Sequence, residues 1–425
     1  MNMICEPARL SGTVAAIPSK SDAHRKLICA ALSENGGFLP LKAPHCDDIQ
    51  ATLRCLEALG AAFTQTADGL RITPVTPQKH AALDCGESGS TLRFLLPVAM
   101  AVCGEISVTG SGRLPERPIG VLTDAMSAHG VQFLQNHLPL SACGHLTGGI
   151  YEIPGNISSQ FLSGLLMALP FCDSDSEIRL TTPLQSSAYV DMTLDTLRQF
   201  GADIRVFADD SGLLRYAVRA GRLHMPEHLT VDGDWSNAAF WLTAAAVQPG
   251  AEITVTGLYP DSVQGDKAIA DILQKTGANV TKGGDFCTVS CGTDAEIRVS
   301  MAEIPDLLPI LAVRAALGEG VTHFTNAERL RIKESDRLTA AAKLIHDLGG
   351  RADEHPDGLT VYGGQLRGGT ADGMNDHRLV MAAAVAAASC SEPVRILGAE
   401  AVNKSYPQFF DDYAALGGIC RQEEA

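Results

Sequence analysis

The sequence predicts an α/β protein of repeated β/α units that fold as two globular halves. The chain has 425 residues, which is too long for one ordinary hydrophobic core and favours two domains of about 200 residues each. Short β-rich segments alternate with helical patterns along it. Several of those patterns end at a glycine, at intervals of about 70 residues, which exceeds a solenoid repeat and indicates a larger repeated unit.

The predicted strands are short runs rich in β-branched residues, at 105–109, 204–207, 252–256 and 394–397. Glycine ends a helix readily because it adopts the left-handed backbone conformation that closes the last turn. The glycines that follow predicted helices in this way are Gly60, Gly201, Gly277 and Gly349, with a weaker fifth copy at Gly130. We place the two chain crossings between the halves at 16–18 and 228–234.

The segment 329–338 predicts an anion site at the start of a helix. It carries four cations and two carboxylates. The pattern predicts a helix over 336–348 with Ser335 as its N-cap, so that Arg337 lies in the first turn. An arginine is unfavourable beside the positive end of a helix dipole unless it shares an anion, which a phosphate or carboxylate would supply. A solvated cluster of self-paired charges is the alternative interpretation.

The same pattern recurs along the chain: a capping residue, often a basic residue, and then an apolar helix. In 19–26, Ser21 is the candidate cap and Arg25 lies in or near the first turn. The other copies begin at 86–93, 158–160, 234–237 and 375–378. One copy alone is an ordinary capped helix. Several that face one cleft would together attract a small anion.

Composition and missing motifs exclude several classes of function. The formal net charge is −16 and no run of Lys or Arg compensates it, so we exclude broad binding to nucleic acids and acidic membranes. No G-x-x-x-x-G-K-[ST] loop is present, and Gly110-Ser111-Gly112 lacks the third glycine of a dinucleotide-binding fingerprint. The usual support for a kinase or a dehydrogenase is therefore missing. Lysines, arginines, serines and carboxylates at helix starts instead suit proton transfer on a phosphorylated substrate.

The cysteines indicate a reducing compartment. None of the twelve forms a C-x-x-C pair, and the closest two, Cys287 and Cys291, have no histidines at zinc-like spacing. We expect reduced, mostly buried thiols and no metal site. Residues 1–12 show no apolar signal core, and no run reaches the roughly 18 apolar residues that a membrane span needs. A cytoplasmic protein is expected.

Taken together, these motifs resemble those of the 3-phosphoshikimate 1-carboxyvinyltransferase (EPSP synthase) family, from Ser19 to Phe410. Each motif is short, but their order and spacing make the resemblance specific. The matching pieces are Ser19-Lys20-Ser21 with Arg25, Gly89 with Arg93, Glu116-Arg117-Pro118-Ile119-Gly120, Ser158-Ser159-Gln160, Ser186 with Tyr189, Ile304-Pro305-Asp306, 331–337, Asp376-His377-Arg378 and Lys404-Ser405-Tyr406-Pro407.

The resemblance implies a two-domain inside-out α/β barrel in which each domain holds three repeated β/α units. One domain would be discontinuous, 1–18 plus 234–425, with 19–233 inserted into it. The implied reaction transfers the enolpyruvyl group of phosphoenolpyruvate to the 5-hydroxyl of shikimate 3-phosphate through a tetrahedral intermediate and releases phosphate. No cofactor is implied, and the expected partners are these two small substrates, bound by a monomer.

The resemblance also implies roles for individual residues, which fit their chemistry because arginines fork onto carboxylates and phosphates. The residues expected to contact shikimate 3-phosphate are Lys20, Ser21, Arg25, Ser158, Ser159, Gln160, Ser186, Asp306 and Lys333. Those expected to contact phosphoenolpyruvate are Lys20, Gly89, Arg117, Gln160, Arg337, Arg378 and Lys404.

Three of these residues are expected to be catalytic. Asp306 is assigned as the base on the 5-hydroxyl, and Glu334 as the group that exchanges a proton at the enolpyruvyl methyl. Lys20 is expected to act as an acid or to stabilise charge in the tetrahedral intermediate. The structural alternatives are a helix-capping Asp306 and an exposed Glu334.

Two other functions stay open. The related enolpyruvyl transferase that acts on UDP-N-acetylglucosamine carries a reactive cysteine before its R-P motif, whereas 111–118 contains none. A non-catalytic protein that binds a phosphorylated ligand is the second alternative. One departure concerns affinity: Glu87 stands where many relatives carry an amide, and its carboxylate would weaken anion binding unless it points away or pairs with a cation.

Overall fold

The computed structural model describes residues 1–292 and 297–423, and the chain divides into two compact units. The first, which we call the terminal unit, consists of Met1–Ser19 and Asp232–Ala425. The second, the central unit, consists of Lys20–Val231. Each has its own hydrophobic core.

The strands are short and, in chain order, are β1 (Met3–Glu6), β2 (Gly12–Ala15), β3 (Gly37–Leu39), β4 (Ala62–Gln65), β5 (Leu70–Thr73), β6 (Ala81–Asp84), β7 (Glu105–Thr109), β8 (Val131–Phe133), β9 (Leu140–Gly144), β10 (Ile150–Ile153), β11 (Ser176–Leu180), β12 (Ile204–Ala208), β13 (Leu214–Val218), β14 (Glu252–Thr256), β15 (Asn279–Lys282), β16 (Phe286–Ser290), β17 (Arg298–Ser300), β18 (Val321–Thr325), β19 (Arg351–His355), β20 (Gly358–Tyr362), β21 (Gly369–Asp372), β22 (Val394–Leu397) and β23 (Ile419–Gln422). The four predicted strands are confirmed as β7, β12, β14 and β22, with β12 one residue longer than predicted.

The α-helices alternate with these strands and are α1 (Lys20–Leu32), α2 (Asp47–Ala58), α3 (Gly89–Val102), α4 (Gly120–Ser127), α5 (Ser159–Ala168), α6 (Ser187–Gln199), α7 (Trp235–Val247), α8 (Ala268–Lys275), α9 (Leu308–Leu317), α10 (Arg337–Asp347), α11 (His377–Ser389) and α12 (Phe409–Ala415). Within the described residues, no helix is both long and apolar enough to cross a membrane.

A repeated module underlies both units. In the central unit, β6 and β7 are parallel and are connected by α3, and α4 then leads to the antiparallel strands β8 and β9. The resulting sheet order β6-β7-β9-β8 recurs as β10-β11-β13-β12. The remaining sheet of this unit has three strands, β3-β5-β4. The predicted repeat of β/α units is thereby confirmed.

Among its described residues, the terminal unit contains three four-stranded sheets of the same order, two of which use strands from the start of the chain. Strand β2 pairs parallel with β14, and β1 lies between β22 and β23. The third sheet, β17-β18-β20-β19, comes from one continuous stretch. The first strands of the chain thus complete sheets whose other strands lie more than 200 residues later.

One disulfide corrects the expectation that all cysteines are reduced. Cys5 on β1 and Cys420 on β23 are direct partners in the antiparallel register and are joined by a disulfide. The sequence separation of 415 residues hides this pairing, because only the sheet topology brings the two chain ends together. The other ten cysteines are free thiols, and eight of them are buried.

The glycine stops are confirmed at all five predicted positions, where φ lies between +85° and +99°. A sixth stop follows α12 at Gly417, with φ +98°. The sequence pattern missed it because the preceding helix has only 7 residues, too few to show a helical period. Each unit therefore contains three such stops, one for every module.

The helix starts follow the predicted pattern with two corrections. Side-chain caps are present at Ser88, Ser158, Asp234 and Asp376. However, α10 is capped by Asp336, whose side chain accepts from the Thr339 N–H, and Ser335 instead donates to Asp376. Helix α1 begins at Lys20, so Ser21 lies inside the first turn and is not its cap. Helix α10 begins one residue after the predicted start and α1 begins two residues before it, which is the usual uncertainty of a boundary.

Candidate active site

In the central unit, Gly89 lies where two guanidinium groups meet. It is the first residue of α3, directly after the Ser88 cap. A Cβ atom at position 89 would lie 2.5 Å from Arg117 Nη1 and 2.6 Å from Arg93 Nη1, so a larger residue would displace at least one of these guanidinium groups. Both arginines are buried. Two positive charges beside the N-terminus of a buried helix strongly attract a small anion.

Gln160 connects this arginine pair to the neighbouring helix. Arg93 Nη1 donates to Gln160 Oε1 at 3.0 Å, and Gln160 Nε2 donates to Ser90 Oγ at 2.9 Å. The Gln160 N–H donates to the capping hydroxyl of Ser158 at 3.3 Å. Helices α3 and α5 approach closely because residue 164 is glycine: a Cβ there would lie 2.2 Å from the Arg93 carbonyl oxygen. The polar starts of both helices therefore lie together.

Lys20, the first residue of α1, is held by the carboxylate of Asp48, which the sequence motifs did not predict. Its Nζ lies 2.7 Å from Asp48 Oδ2, and the two side chains are 14% and 13% exposed. A charge-assisted bond in such a position fixes the direction of the ammonium group. The available signal was the acidic pair Asp47-Asp48 at the start of α2, but acidic residues are common in the first turn of any helix.

Arg25 is more deeply buried than the expected role of a phosphate ligand requires. It is 2% exposed and donates to the carbonyls of Ser21 and Tyr189 and to the Thr193 hydroxyl, at 2.6–2.8 Å. Its guanidinium also stacks on the Phe94 ring at 4.9 Å. Burial lowers its pKa to about 10. In this structure Arg25 joins α1 to α6, and a direct substrate contact stays a prediction.

The serines expected at the substrate phosphate lie at three helix starts. Ser21 is in the first turn of α1, Ser158 and Ser159 begin α5, and Ser186 precedes α6. Ser186 has a left-handed backbone, with φ 55°, and is 2% exposed. A residue other than glycine in this conformation is strained, and such residues concentrate at functional sites.

The terminal unit carries the second cluster, which centres on Arg337. Its Nη1 donates to Asp306 at 2.7 Å, its Nη2 to Glu334 at 2.8 Å and its Nε to Asp376 at 2.8 Å. Arg337 is 1% exposed. Burial lowers its pKa, but the charges of these three carboxylates outweigh that effect and raise it well above its usual value. A self-paired charge cluster is thus present, and the arginine at its centre is buried, whereas Asp306 and Glu334 are partly exposed.

Asp306 binds three cations at the start of α9. In addition to Arg337, it accepts from Arg378 Nη2 at 3.1 Å and lies 3.5 Å from Lys333 Nζ. Its side chain is 18% exposed, so small molecules can reach it. The structure therefore brings together four of the residues predicted to share a site, with Glu334 beside them at 23% exposure.

Lys404 completes this cluster from a different loop. Its Nζ donates to the carbonyl of Asn375 at 2.5 Å, and the residue is 8% exposed. Asn375 and the preceding Met374 have φ values of 55° and 47°, an uncommon left-handed pair just before the Asp376 cap. The strained turn thus presents one carbonyl to Lys404 and the next side chain to Arg337.

Not every cation of the segment 329–338 belongs to this cluster. Arg331 donates to Asp336, Glu354 and the backbone of 355–356, so it joins α10 to the hairpin that follows. Arg329 donates to the Ala302 carbonyl at 2.8 Å. The motif therefore combines structural and candidate functional cations, which the sequence alone does not separate.

Sequence reasoning also missed Asp266, a buried carboxylate near Asp306 and Arg378. It is 4% exposed. Burial raises its pKa to about 6, the negative charge of Asp306 acts in the same direction, and Arg378 opposes both. The loop that carries Asp266 is fastened by Gln264, which donates to the Gly233 carbonyl and accepts from the Trp235 N–H. Its only sequence signal is the alternation of polar residues at 262, 264 and 266.

The Glu87 side chain points to the loop of Gly112. A Cβ at position 112 would lie 2.4 Å from the Glu87 carboxyl carbon. Gly112 also has φ +57°, so both the backbone conformation and the packing require glycine there. The carboxylate is thus directed along the loop of residues 111–113.

A family model and several known proteins match nearly the whole chain. The family model of EPSP synthase (3-phosphoshikimate 1-carboxyvinyltransferase) matches residues 4–413. The 3-phosphoshikimate 1-carboxyvinyltransferase of Clostridium novyi is 39% identical over 427 residues, which cover 97% of both chains. That of Clostridium acetobutylicum is 40% identical and covers 97% of this chain and 96% of its own.

Solved structures agree with the sequence comparison. An EPSP synthase from Acinetobacter baumannii superposes with a TM-score of 0.79 at 25% identity, over 99% of this chain and all of the other. The enolpyruvyl transferase NikO from Streptomyces tendae has a TM-score of 0.80 over 100% of this chain and 99% of its own, and its 20% identity supports the shared fold alone. The α/β fold class expected from the motifs is confirmed, and the chain belongs to the EPSP synthase (3-phosphoshikimate 1-carboxyvinyltransferase) family.

Proposed function

We propose that this protein transfers the enolpyruvyl group of phosphoenolpyruvate to the 5-hydroxyl of shikimate 3-phosphate. Family membership supports the reaction. The observation that most supports the proton-transfer chemistry is the position of Asp306. This partly exposed carboxylate is held by Arg337, Arg378 and Lys333. Such a group combines a proton acceptor with the cations that its anionic substrates need.

The reaction has two steps. In the first, the 5-hydroxyl oxygen bonds to C2 of phosphoenolpyruvate, the hydroxyl loses its proton, and C3 gains one to become a methyl group. In the second, the methyl loses a proton, the C2–C3 double bond forms again and phosphate leaves with the C2–O electron pair. The first step therefore needs one proton acceptor and one proton donor, and the second needs an acceptor for the methyl proton.

Asp306 is the proposed base for the 5-hydroxyl. Its ion pairs with Arg337 and Arg378 favour the ionised carboxylate, which is the form that accepts a proton. The exposed fraction of its side chain leaves an edge open to the hydroxyl. When the substrate anions bind these arginines, the carboxylate loses part of its compensation and becomes a stronger base.

Glu334 is the proposed group for proton exchange at C3. It lies beside Asp306 on the same arginine, because both accept from Arg337 at 2.7–2.8 Å. Two carboxylates that share one guanidinium can hold different protonation states when their environments differ. Glu334 has the larger exposed fraction of the two.

The cations are proposed as substrate ligands. Arg337, Arg378 and Lys404 in the terminal unit, and Gly89 with Arg117 in the central unit, would hold phosphoenolpyruvate, which has a carboxylate and a phosphate to share among them. Lys20 would contact both substrates and stabilise charge in the tetrahedral intermediate. Gln160 is the remaining ligand proposed for both substrates.

The shikimate 3-phosphate ligands are proposed from the helix starts. Ser21, Ser158, Ser159 and Ser186 supply hydroxyl and backbone donors where helix dipoles are positive. The cations proposed for its phosphate and ring are Arg25 and Lys333. Of these, Arg25 needs the largest rearrangement, because its donors already bind the backbone and Thr193.

We further propose that the two compact units correspond to the two domains predicted from the sequence, 1–18 with 234–425 and 19–233. The protein is proposed to act as a monomer in the cytoplasm, on small molecules and without nucleic acid or membrane partners. Its net charge of −16 supports the exclusion of polyanionic partners.

The test is identification of the product. Phosphoenolpyruvate labelled with ¹³C at C2 and C3 is incubated with shikimate 3-phosphate and the purified protein, and the products are followed by NMR. The proposal predicts a new enol ether on the 5-oxygen together with free phosphate in equal amount. Transfer of the label to UDP-N-acetylglucosamine instead would assign the protein to the related reaction. Binding of both substrates without any product would indicate the non-catalytic alternative.

A further inference from the structure

A chain of buried hydroxyl groups connects His24 to the start of α3 inside the central unit. His24 Nδ1 lies 2.8 Å from Thr52 Oγ1, which lies 2.7 Å from Thr91 Oγ1. Thr91 Oγ1 in turn lies 2.8 Å from Ser88 Oγ and 3.3 Å from the Asp48 carbonyl oxygen. All four side chains in this chain are at most 1% exposed. The proposed mechanism uses none of them.

The direction of these hydrogen bonds follows from the acceptor at the end. The Asp48 carbonyl can only accept, and Ser88 Oγ already accepts from the Thr91 N–H at 3.2 Å. The Thr91 hydroxyl therefore donates toward Ser88 and Asp48. Thr52 must then donate to Thr91, which leaves its oxygen as the acceptor for His24 Nδ1–H.

His24 is suited to the start of this relay because it stays neutral. Burial lowers its pKa well below the usual value, and the charges of Lys20 and Arg25 act in the same direction. Its Nε2 is buried and has no hydrogen-bond partner among the described residues. Its ring packs edge-on against Phe94, with centroids 6.3 Å apart. A neutral ring with the proton on Nδ1 gives both threonine hydroxyls, Thr52 and Thr91, a donor and an acceptor.

The relay ends at the two elements that orient the candidate anion ligands. Thr91 fastens the backbone of Asp48, whose carboxylate holds Lys20 at 2.7 Å. Thr91 also braces Ser88, the cap of the helix that begins at Gly89. Helices α1, α2 and α3 are thereby locked together directly behind Lys20 and Gly89.

We propose that His24, as the neutral Nδ1–H tautomer, is a positioning residue that sets the place of Lys20 through Thr52, Thr91 and Asp48. The kinetic test of this inference rests on the proposed function, and the spectroscopic test does not. The position of one proton on the buried His24 ring then determines whether the Lys20–Asp48 pair is fixed in the place where Lys20 can bind phosphoenolpyruvate.

Three substitutions separate this role from ordinary packing. His24→Asn keeps a donor near the position of Nδ1, His24→Leu removes it, and Thr52→Val breaks the relay with almost no change in volume. Thr196→Val is the matched control, because Thr196 is an equally buried threonine of the same unit whose hydroxyl donates to the Met192 carbonyl. It lies on α6, outside the relay.

The kinetic test compares the change in the KM for phosphoenolpyruvate with the change in kcat. We expect His24→Leu and Thr52→Val to raise this KM about tenfold, the factor that one buried hydrogen bond carries, with a smaller change in kcat. His24→Asn should stay within about threefold of the wild type, and Thr196→Val should change stability more than KM. Equal impairment by His24→Asn and His24→Leu, or a normal KM for a folded Thr52→Val, would overturn the proposal.

The spectroscopic readout is independent of turnover. A long-range ¹H–¹⁵N spectrum of histidine-labelled protein at neutral pH distinguishes the two neutral tautomers, and the His24 signal is the one lost in His24→Asn. The proposal requires the Nδ1–H form in the wild type and a change of tautomer in Thr52→Val. An Nε2–H tautomer in the wild type would refute it. If the wild type shows no turnover, the proposed function is contradicted. The tautomer of His24 can still be measured, and it decides whether this inference holds.

Discussion

Arg337 donates to Asp306 at 2.7 Å, so the proposed base and a proposed ligand of phosphoenolpyruvate bind each other. The carboxylate of Asp306 occupies donors that the substrate carboxylate would also use. Arg378 is shared in the same way, at 3.1 Å. With these proposed roles, substrate binding and activation of the base would be linked through two guanidinium groups.

Asp306→Asn should separate these two effects. The amide cannot accept the hydroxyl proton, so we expect kcat to fall about 10²- to 10⁴-fold, the usual contribution of a general base. It also carries no charge to compete for the arginines, so phosphoenolpyruvate should bind as tightly as before or more tightly. The measurements are kcat by product formation and the dissociation constant by calorimetry. Equal losses in both quantities, or none, would remove Asp306 from the role of base.

Glu334→Gln should affect proton exchange at C3 more than binding. We expect kcat to fall about 10²-fold or more, with little change in substrate affinity, because Arg337 keeps two of its three carboxylates. The specific readout is deuterium incorporation from D₂O into the methylene of phosphoenolpyruvate during turnover. Normal incorporation in the variant would assign this step to another residue. Glu328→Gln, in the 3-10 turn just before the cluster, is the matched control.

Gly89→Ala should weaken phosphoenolpyruvate binding. The added methyl would approach the Nη1 atoms of Arg117 and Arg93 to 2.5 Å and 2.6 Å, so at least one guanidinium must move. Loss of one charge-assisted bond predicts a KM for phosphoenolpyruvate about tenfold higher or more, with a smaller change for shikimate 3-phosphate. Gly221→Ala is the control, because a Cβ there meets nothing within 4 Å. An unchanged KM would show that the arginines do not bind this substrate.

Asp266→Asn should stabilise the protein at neutral pH. The folded-state pKa of Asp266 is about 6, above the usual 3.8, so the folded state holds this proton more tightly than the unfolded state. Its contribution to the free energy of unfolding therefore decreases as the pH rises from about 4 to 6, and the loss persists above that range. Asparagine does not titrate and avoids the loss.

The measurement is urea unfolding of both proteins at pH 4.5 and pH 7.5. We expect the free energy of unfolding of the variant, relative to the wild type, to increase by about 2 kcal/mol between these pH values, because part of the effect is already present at pH 4.5. Asp261→Asn, an exposed carboxylate of the same loop, should show little change. A variant that loses stability at pH 7.5 would mean that the ionised carboxylate is needed to hold Arg378.

The sequence predicted most of the fold because its signals are local. Glycine stops at Gly60 and Gly349 and strands such as β14 depend on backbone conformation and side-chain patterning over a few residues. The placement of β1 and β2 depends on partners more than 200 residues away, and for that reason the disulfide between Cys5 and Cys420 was not foreseen. Non-local pairing leaves no mark in a local pattern.

The candidate site was also predicted only in part. The residues that were missed depend on contacts with other parts of the sequence. The family motifs predicted Lys20, Asp306 and Arg337 as site residues, because each lies in a short stretch of distinctive order, and their roles stay predictions. Asp48 and Asp266 lie in ordinary stretches and gain their importance from the charges that folding brings beside them. Arg25 is a different case: its motif predicts a substrate ligand, the structure shows that its guanidinium joins two helices, and the substrate contact stays a prediction.

The most direct test of the proposed function is phosphate release by the purified protein from phosphoenolpyruvate, with shikimate 3-phosphate present or absent and with UDP-N-acetylglucosamine as a separate acceptor. The account predicts release that requires shikimate 3-phosphate, equals the product in amount and falls at least 10²-fold in Asp306→Asn. Release that requires the nucleotide sugar, or no release with either acceptor while both substrates bind, would contradict it.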